Sequence, residues 1–480
     1  MGFELKREEL GSLVAHKKGF AFKSKDYISA GVPVVRVSNF TWDSISTDDL
    51  RFVAHEVAIS NKMVRLNEDD VVIATVGSWP QNPASIVGKV VRVPRELSGA
   101  LLNQNTVRLR VVDEDLVNQK YLYISLKTKD FSEYLISKAQ GSANQASITL
   151  SDIFSYSIPW GTYAQRKFIV SVIDSINSKI VNAKRINQTL EQMAQALFKN
   201  WFVDFEPVKA KIAVLESGGS QEEATFAAMT AISGKSADAL AIFEREHPEQ
   251  YAELKATAEL FPSAMQESEL GEIPEGWAIG NLGEIIEFNP KRILKKGINA
   301  PYLDMKNVPV KGHSVQEVVC REVTSGTKFK NGDTLLARIT PCLENGKTAF
   351  VDFLSSNDTV GWGSTEFIVM RVKRDLPLSI SYFIARLESF RITAIQSMQG
   401  TSGRQRADAG VLQNMPWVIP PDALLMKFGK FSNFVIDNNR VKHNQNTLLS
   451  QLRDTLLPKL LSGEITLPEA EEIAKETDYV

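Results

Sequence analysis

The chain has 480 residues, enough for two to four domains that each bury a core. Its 43% hydrophobic and 23% charged residues, two cysteines and lack of any apolar run near ~18 residues exclude disordered, collagen-like, disulfide-framed and membrane-spanning classes. The net charge of −2 is unevenly spread: residues 212–275 hold 13 acidic and 3 basic side chains, and without them and the tail 467–480 the chain stands at +12, which leaves nucleic acid open as a partner.

In chain order, residues 1–160 read as a mixed α/β globule. The runs Val32–Val37, Val71–Val76, Val87–Val93 and Thr106–Val112 predict strands, and Asn118–Lys127 a short helix. Residues 161–206 predict one long helix. Ile169, Ile173, Ile176, Ile180, Ala183, Leu190, Ala194, Leu197 and Trp201 alternate steps of four and three, with Asn187 at the missing position, either as a register-fixing polar contact, the favoured reading, or as a tolerated exposed residue. Such a helix spans ~60 Å, and Pro207 is expected to stop it. Residues 207–270 are an acidic helical insert, with helices at 221–232, 236–247 and 248–261 and a linker at Ser217-Gly-Gly-Ser220. A second α/β globule fills 271–421. A second long helix covers 422–465, with Phe428, Phe431, Val435, Val441, Leu448, Leu449, Leu452, Leu456 and Leu460 as its apolar stripe and Pro458 as a possible kink. Residues 466–480 are an acidic tail.

The chain repeats with a period of about 260 residues. Asp69-Asp70-Val-Val-Ile-Ala-Thr matches Gly332-Asp333-Thr-Leu-Leu-Ala-Arg, Gln140-Gly141-Ser142 matches Gln399-Gly400-Thr401, and Ser157-Ile-Pro matches Val418-Ile-Pro. The expected fold is therefore two α/β (mixed α+β) globules separated by an antiparallel pair of long coiled-coil helices, with an internal pseudo-two-fold repeat.

Catalytic patterns fail on inspection. Gly346-Lys347-Thr348 ends like a phosphate loop, but Pro341 stands where its first glycine must be. Gly361-Trp-Gly363 starts a dinucleotide fingerprint that stops at Glu366. Asp333, Glu344 and Lys347 lack nuclease spacing, the five histidines are scattered singly with most read as surface or loop residues, and no metal set forms. The Asn/Asp-Pro-Pro-Tyr/Phe loop of amino-methyltransferases is absent. What remains suits DNA. Ser78, Trp79, Gln81, Asn82, Ser142, Asn144 and Gln145 in the first copy, and Arg338, Asn345, Lys347, Thr401, Ser402, Arg404, Gln405 and Arg406 in the second, are loop residues able to meet base edges and phosphates. Arg404 or Arg406 is expected to fork onto a base and Lys347 to meet a phosphate. Trp201, Phe202, Phe205, Leu457 and Leu461 add apolar surface at the helix ends and are expected to bind a protein partner.

Leu197-Phe-Lys-Asn-Trp-Phe-Val-Asp-Phe-Glu-Pro-Val208, Gly271-Glu-Ile-Pro-Glu-Gly-Trp277, Gly400-Thr-Ser402, Ile419-Pro-Pro421 and Leu456-Leu-Pro-Lys-Leu-Leu-Ser-Gly-Glu-Ile465 resemble segments of type I restriction-modification specificity subunits, over essentially the whole chain. The resemblance implies two target recognition domains, each reading half of a bipartite, asymmetric double-stranded DNA site. The helices act as a ruler, spacing the halves by roughly one DNA turn of ~34 Å. It also implies docking of two modification (methyltransferase) subunits and of restriction (translocase/endonuclease) subunits in the cytoplasm, and no catalysis in this chain. S-adenosylmethionine, ATP and Mg then belong to the partners. The competing readings are an adenine-N6 DNA methyltransferase with an attached recognition domain and a helical scaffold without a DNA role. The target sequence is not legible.

Overall fold

The structure is a computed structural model describing residues 5–79, 86–142, 145–373, 375–401 and 404–465. It divides into two units, residues 1–180 with 447–480, and residues 181–446.

In the first unit, strands Val71–Ala74 and Thr106–Val111 pair antiparallel at the centre of a four-stranded sheet, flanked by Val14–Lys18 and Val90–Arg92. Val71–Ala74 is buried throughout, as its unbroken apolar run requires of a strand covered on both faces. A second sheet is built on Val32–Val35, which runs antiparallel to Arg51–Val53 and parallel to Leu101–Leu102. Arg7–Glu9 pairs with Ser157–Pro159 just before the first long helix.

The second unit repeats this topology. Ile286–Phe288, Phe367–Val372, Thr334–Ala337 and Thr348–Phe350 form its first sheet in the same order. Asn299–Leu303 runs antiparallel to Val319–Glu322 and parallel to Gly361–Gly363, and Ala278–Asn281 pairs with Pro416–Ile419. Even a buried ion pair recurs. Asp70 takes Arg110 at 2.5 and 2.7 Å, and Asp333 takes Arg371 at 2.6 Å. Each aspartate lies immediately before the strand start and is almost fully buried. This removes Asp333 from any nuclease set, because its carboxylate is held by Arg371 and, at 3.2 Å, by Arg292.

The long helices are Tyr163–Phe202 and Asp422–Ser462. The first ends before residue 206, because Phe205 adopts a left-handed φ of 56° that turns the chain into the further helix Glu206–Glu216, with Pro207 in its first turn. The second runs through Pro458 to Ser462, where Gly463 caps it at φ 73°. In the first unit, Ile169, Ile173, Ile176 and Ile180 share a core with Leu456, Leu457, Leu460 and Leu461. In the second, Phe198 packs on Phe428 at 5.1 Å, while Asn187 and Asn439 donate to each other's backbone carbonyls at 3.2 and 3.4 Å. The later residue of one helix meets the earlier residue of the other, so the pairing is antiparallel there. Asn187 thus holds register, as its place in the heptad predicts.

Two expectations for these helices are corrected. Val441 and Leu448 do not lie on the buried stripe: they are 57% and 58% exposed. The buried phase of the second helix instead runs through Ser432, Val435, Asn439 and Asn446. Likewise Trp201, Phe202, Phe205, Leu457 and Leu461 do not form free apolar surface. All are buried in this chain's own cores, because Phe261, Trp277 and Phe428 close over the first three, and Leu457 and Leu461 join the first unit's core.

The insert forms helices Gln221–Ser233, Ala237–Glu246 and Pro248–Glu259 around Ala228, Met229, Leu240 and Ala258. Ser220 and Glu223 form a capping box at the start of the first. Lys211 donates to the Phe261 carbonyl at 2.6 Å, and Glu253 takes Lys430 of the second long helix at 2.8 Å.

One histidine is not a surface residue. His313, 1% exposed on its side chain, has Nε2 3.3 Å from Asp352 and Nδ1 3.7 Å from Glu191 of the first long helix. The Tyr382 hydroxyl also donates to Glu191, and Arg386 Nε donates to that hydroxyl at 3.0 Å. Burial opposes a charge on His313, but the two carboxylates outweigh it and raise its pKa to about 9.

Candidate nucleic-acid interface

In the first unit, the segments carrying the expected DNA residues meet in one small sheet. Gln140–Ser142 and Gln145–Ser147 form a hairpin, and Val76–Gly77 pairs with its second strand. Gly141 has a left-handed φ of 154°, and a Cβ there would lie 2.0 Å from the Gln145 carbonyl oxygen, so only glycine allows this close approach. Ser142 and Gln145 are exposed on the hairpin. Trp79 is half-buried against the unit's core and its Nε1 donates to the Ser142 carbonyl at 2.7 Å, which pins one loop to the other. Ser78 is buried and its carbonyl accepts from Val87 N. Gln81, Asn82 and Asn144 lie outside the described residues.

The second unit builds the equivalent arrangement from isolated bridges. Arg406 bridges both Ile339 and Gln399, Thr340 N donates to the Gln405 carbonyl at 3.1 Å, and Ala407 N donates to the Arg338 carbonyl at 2.8 Å. Arg338, Thr401, Arg404, Gln405 and Arg406 therefore belong to one loop pair. Arg404 and Thr401 are exposed, and Gly400 supplies the left-handed turn at φ 127°. Arg338 is half-buried, and its Nε is buried with no hydrogen-bond partner among the described residues. Asn345 is exposed on the loop that follows Pro341. Ser402 lies outside the described residues.

Two expected DNA contacts are already engaged within the chain. Lys347 does not present a free ammonium, because Nζ donates to the Met305 carbonyl at 2.8 Å and so ties the short turn Met305–Asn307 to the strand start. Arg406 forks onto Glu366: Nε lies 2.9 and 3.1 Å from the two carboxylate oxygens and Nη2 lies 2.7 Å from one of them. The hydrogen bonds and charge of Glu366 raise the Arg406 pKa further above its ordinary value. Replacing Lys347 with alanine is accordingly expected to leave the salt dependence of DNA binding unchanged and to lower stability by about 1 kcal/mol, the net worth of a hydrogen bond. Salt-titrated DNA binding and urea unfolding of the variant check both halves of this prediction.

Glu366 and Glu191 were not legible as functional candidates, because each looks like an ordinary solvated carboxylate until its partner is known. The repeated pairs Asp70 with Arg110 and Asp333 with Arg371 could have been found by aligning the two halves for charges as well as for apolar runs. The segment Gly346-Lys347-Thr348 leads into the strand Thr348–Phe350 and not into a helix, so it lacks the helix N-terminus that a phosphate loop uses. Among the described residues no group of acidic, histidine or cysteine side chains is placed to hold a metal ion, and no helix is long and apolar enough to cross a membrane.

Residues 4–192 match the family described as type I restriction modification DNA specificity domain. The chain is 28% identical over 369 residues to the type I restriction enzyme HindI specificity subunit of Haemophilus influenzae, covering 73% of this chain and 78% of that protein. It is 25% identical to the MjaIX specificity subunit of Methanocaldococcus jannaschii, over 75% of this chain and 72% of that one. A crystal structure of the type I restriction-modification S subunit from M. genitalium aligns over 96% of both chains at 12% identity, with a TM-score of 0.47.

Proposed function

We propose, from the premise that this chain is a type I restriction-modification specificity subunit, that it reads a bipartite and asymmetric double-stranded DNA target, one half with each unit. The observation that carries this reading is the loop pair built at equivalent places on two copies of one topology, Gly77 to Trp79 with Gln140 to Ser142 and Gln145 to Ser147, and Arg338 to Thr340 with Gln399 to Thr401 and Arg404 to Arg406. Equivalent loops on a repeated scaffold meet DNA in equivalent ways. Because their side chains differ, they select different bases.

In this reading the chain carries no catalytic site. Methylation with S-adenosylmethionine and cleavage driven by ATP with Mg belong to two modification subunits and to restriction subunits that assemble on it. Among the apolar side chains left exposed on the second unit's helices, Met193, Phe434 and Val441, at 54%, 59% and 57%, are the ones we assign to such a protein partner in place of Trp201 and its neighbours.

The test is binding of the assembled complex to DNA carrying single-base changes throughout both half-sites. Exchanging residues 399–406 for the corresponding loop of another specificity subunit should change preference in one half-site and leave the other as it was. Each altered position should cost about 1–3 kcal/mol. A change in both half-sites, or in neither, would refute the modular reading.

A further inference from the structure

We infer that Arg404 is the base-reading side chain of the second unit, and that Glu366 is the positioning residue that holds it in place through Arg406. The inference rests on the DNA-recognition reading above and assigns roles that it leaves open.

A reading loop must present donors while its backbone stays fixed, because ordering a loop on binding subtracts from affinity. The described residues of this segment, 399–401 and 404–406, carry two arginines of opposite fate. Arg406 is bridged on both sides, to Ile339 and to Gln399. Its Nε and Nη2 both lie on Glu366, and these are a pair of donors that a bidentate contact with guanine would need. Its remaining nitrogen, Nη1, lies 3.5 Å from the Arg404 carbonyl oxygen. Arg406 is therefore occupied as an anchor.

Glu366 is suited to hold it. It stands one residue before the strand Phe367–Val372, its carbonyl accepts from Arg338 N at 2.9 Å, and its own N–H donates to Ser364 Oγ at 3.1 Å. The carboxylate thus projects from a backbone pinned by the sheet, and its side chain is only 20% exposed.

Arg404 differs in each respect. Its N–H donates to the Thr401 carbonyl at 3.0 Å, it is exposed, and its guanidinium has no partner among the described residues. Glu366 also compensates the charge of Arg406, which would otherwise repel a second guanidinium two residues away, so the net positive charge of the loop sits on Arg404. The first unit reaches the same end with different chemistry: there a neutral bond from Trp79 Nε1 to the Ser142 carbonyl clamps the loop pair.

The test uses the assembled complex, a panel of single-base variants of both half-sites, and several salt concentrations. Arg404→Ala should reduce discrimination at one base of one half-site by about tenfold or more. Glu366→Gln should relax the same base, with weaker cognate binding, and the double exchange Glu366→Arg with Arg406→Glu should restore part of the discrimination. A purely structural role for the pair would lower thermal stability without singling out that base. Two results would overturn the inference: Arg404→Ala keeping full discrimination at every base, or Glu366→Gln tightening binding to all sequences with a steeper salt dependence. The latter would mean that Glu366 parks a phosphate-binding Arg406 away from DNA. A wild-type complex with no sequence preference would instead overturn the DNA-recognition reading itself.

Discussion

Replacing Glu191 with alanine is expected to destabilise the second unit by about 3–5 kcal/mol, the usual cost of leaving a buried charge without its partner. Glu191 is 5% exposed and meets His313 Nδ1 at 3.7 Å and the Tyr382 hydroxyl, while Asp352 faces the other ring nitrogen of His313 at 3.3 Å. Arg386 reaches the same cluster through the Tyr382 hydroxyl and ties it to the Gly346 and Thr348 carbonyls, each at 3.0 Å. Burial and the adjacent Glu191 hold the Tyr382 pKa well above its ordinary value, so the tyrosine remains a neutral donor. His443 also lies in this field, with its pKa lowered by burial.

The sign of the pH dependence follows from the His313 pKa, which is raised from 6.5 to about 9. The folded state binds this proton more tightly than the unfolded chain does. Its contribution, on the order of 3 kcal/mol, is therefore complete below pH 6.5 and is lost as pH rises through about 9. Urea unfolding of the full chain from pH 6 to 10 should show this decline, and His313→Gln should remove it. Parallel stability curves for the two proteins would sink the assignment.

Trp201→Ala is expected to cost about 3–5 kcal/mol of folding stability, as for other buried tryptophans, because it empties the centre of an aromatic cluster. The indole is 4% exposed, with ring centroids 5.4 Å from Phe261, 5.9 Å from Phe202 and 6.2 Å from Phe428. The thermal midpoint should fall by roughly 2–4 °C for each kcal/mol lost. Phe434→Ser on the exposed helix face should shift stability by less than about 0.5 kcal/mol. Thermal unfolding of both variants decides between a core role and a docking role. A Trp201→Ala protein with an unchanged midpoint and impaired partner binding would return this residue to the docking surface.

The sequence by itself determined the features that depend on local period and on repetition. Steps of four and three from Ile169 to Trp201 specify a helix with one buried seam, and that seam places Asn187 opposite the second helix. The matched segments in each half specify the duplicated topology, and the insert helices follow from their own caps and apolar spacing. Tertiary structure decided the rest, because the choice lay between residues with the same local character. In the polar middle of the second helix, both Val441 and Asn439 fit a helical stripe, and only docking against Asn187 turns Asn439 inward and leaves Val441 exposed. An apolar helix end can be covered by a partner or by its own chain, and here Phe261 and Trp277 return from later in the sequence to cover Trp201 and Phe205. Lys347 and Arg406 look like free cations, and Glu191 like a solvated carboxylate, until the fold brings up the Met305 carbonyl, Glu366 and His313. Such long-range partners set which charges remain available to DNA, and no local pattern in the chain encodes them.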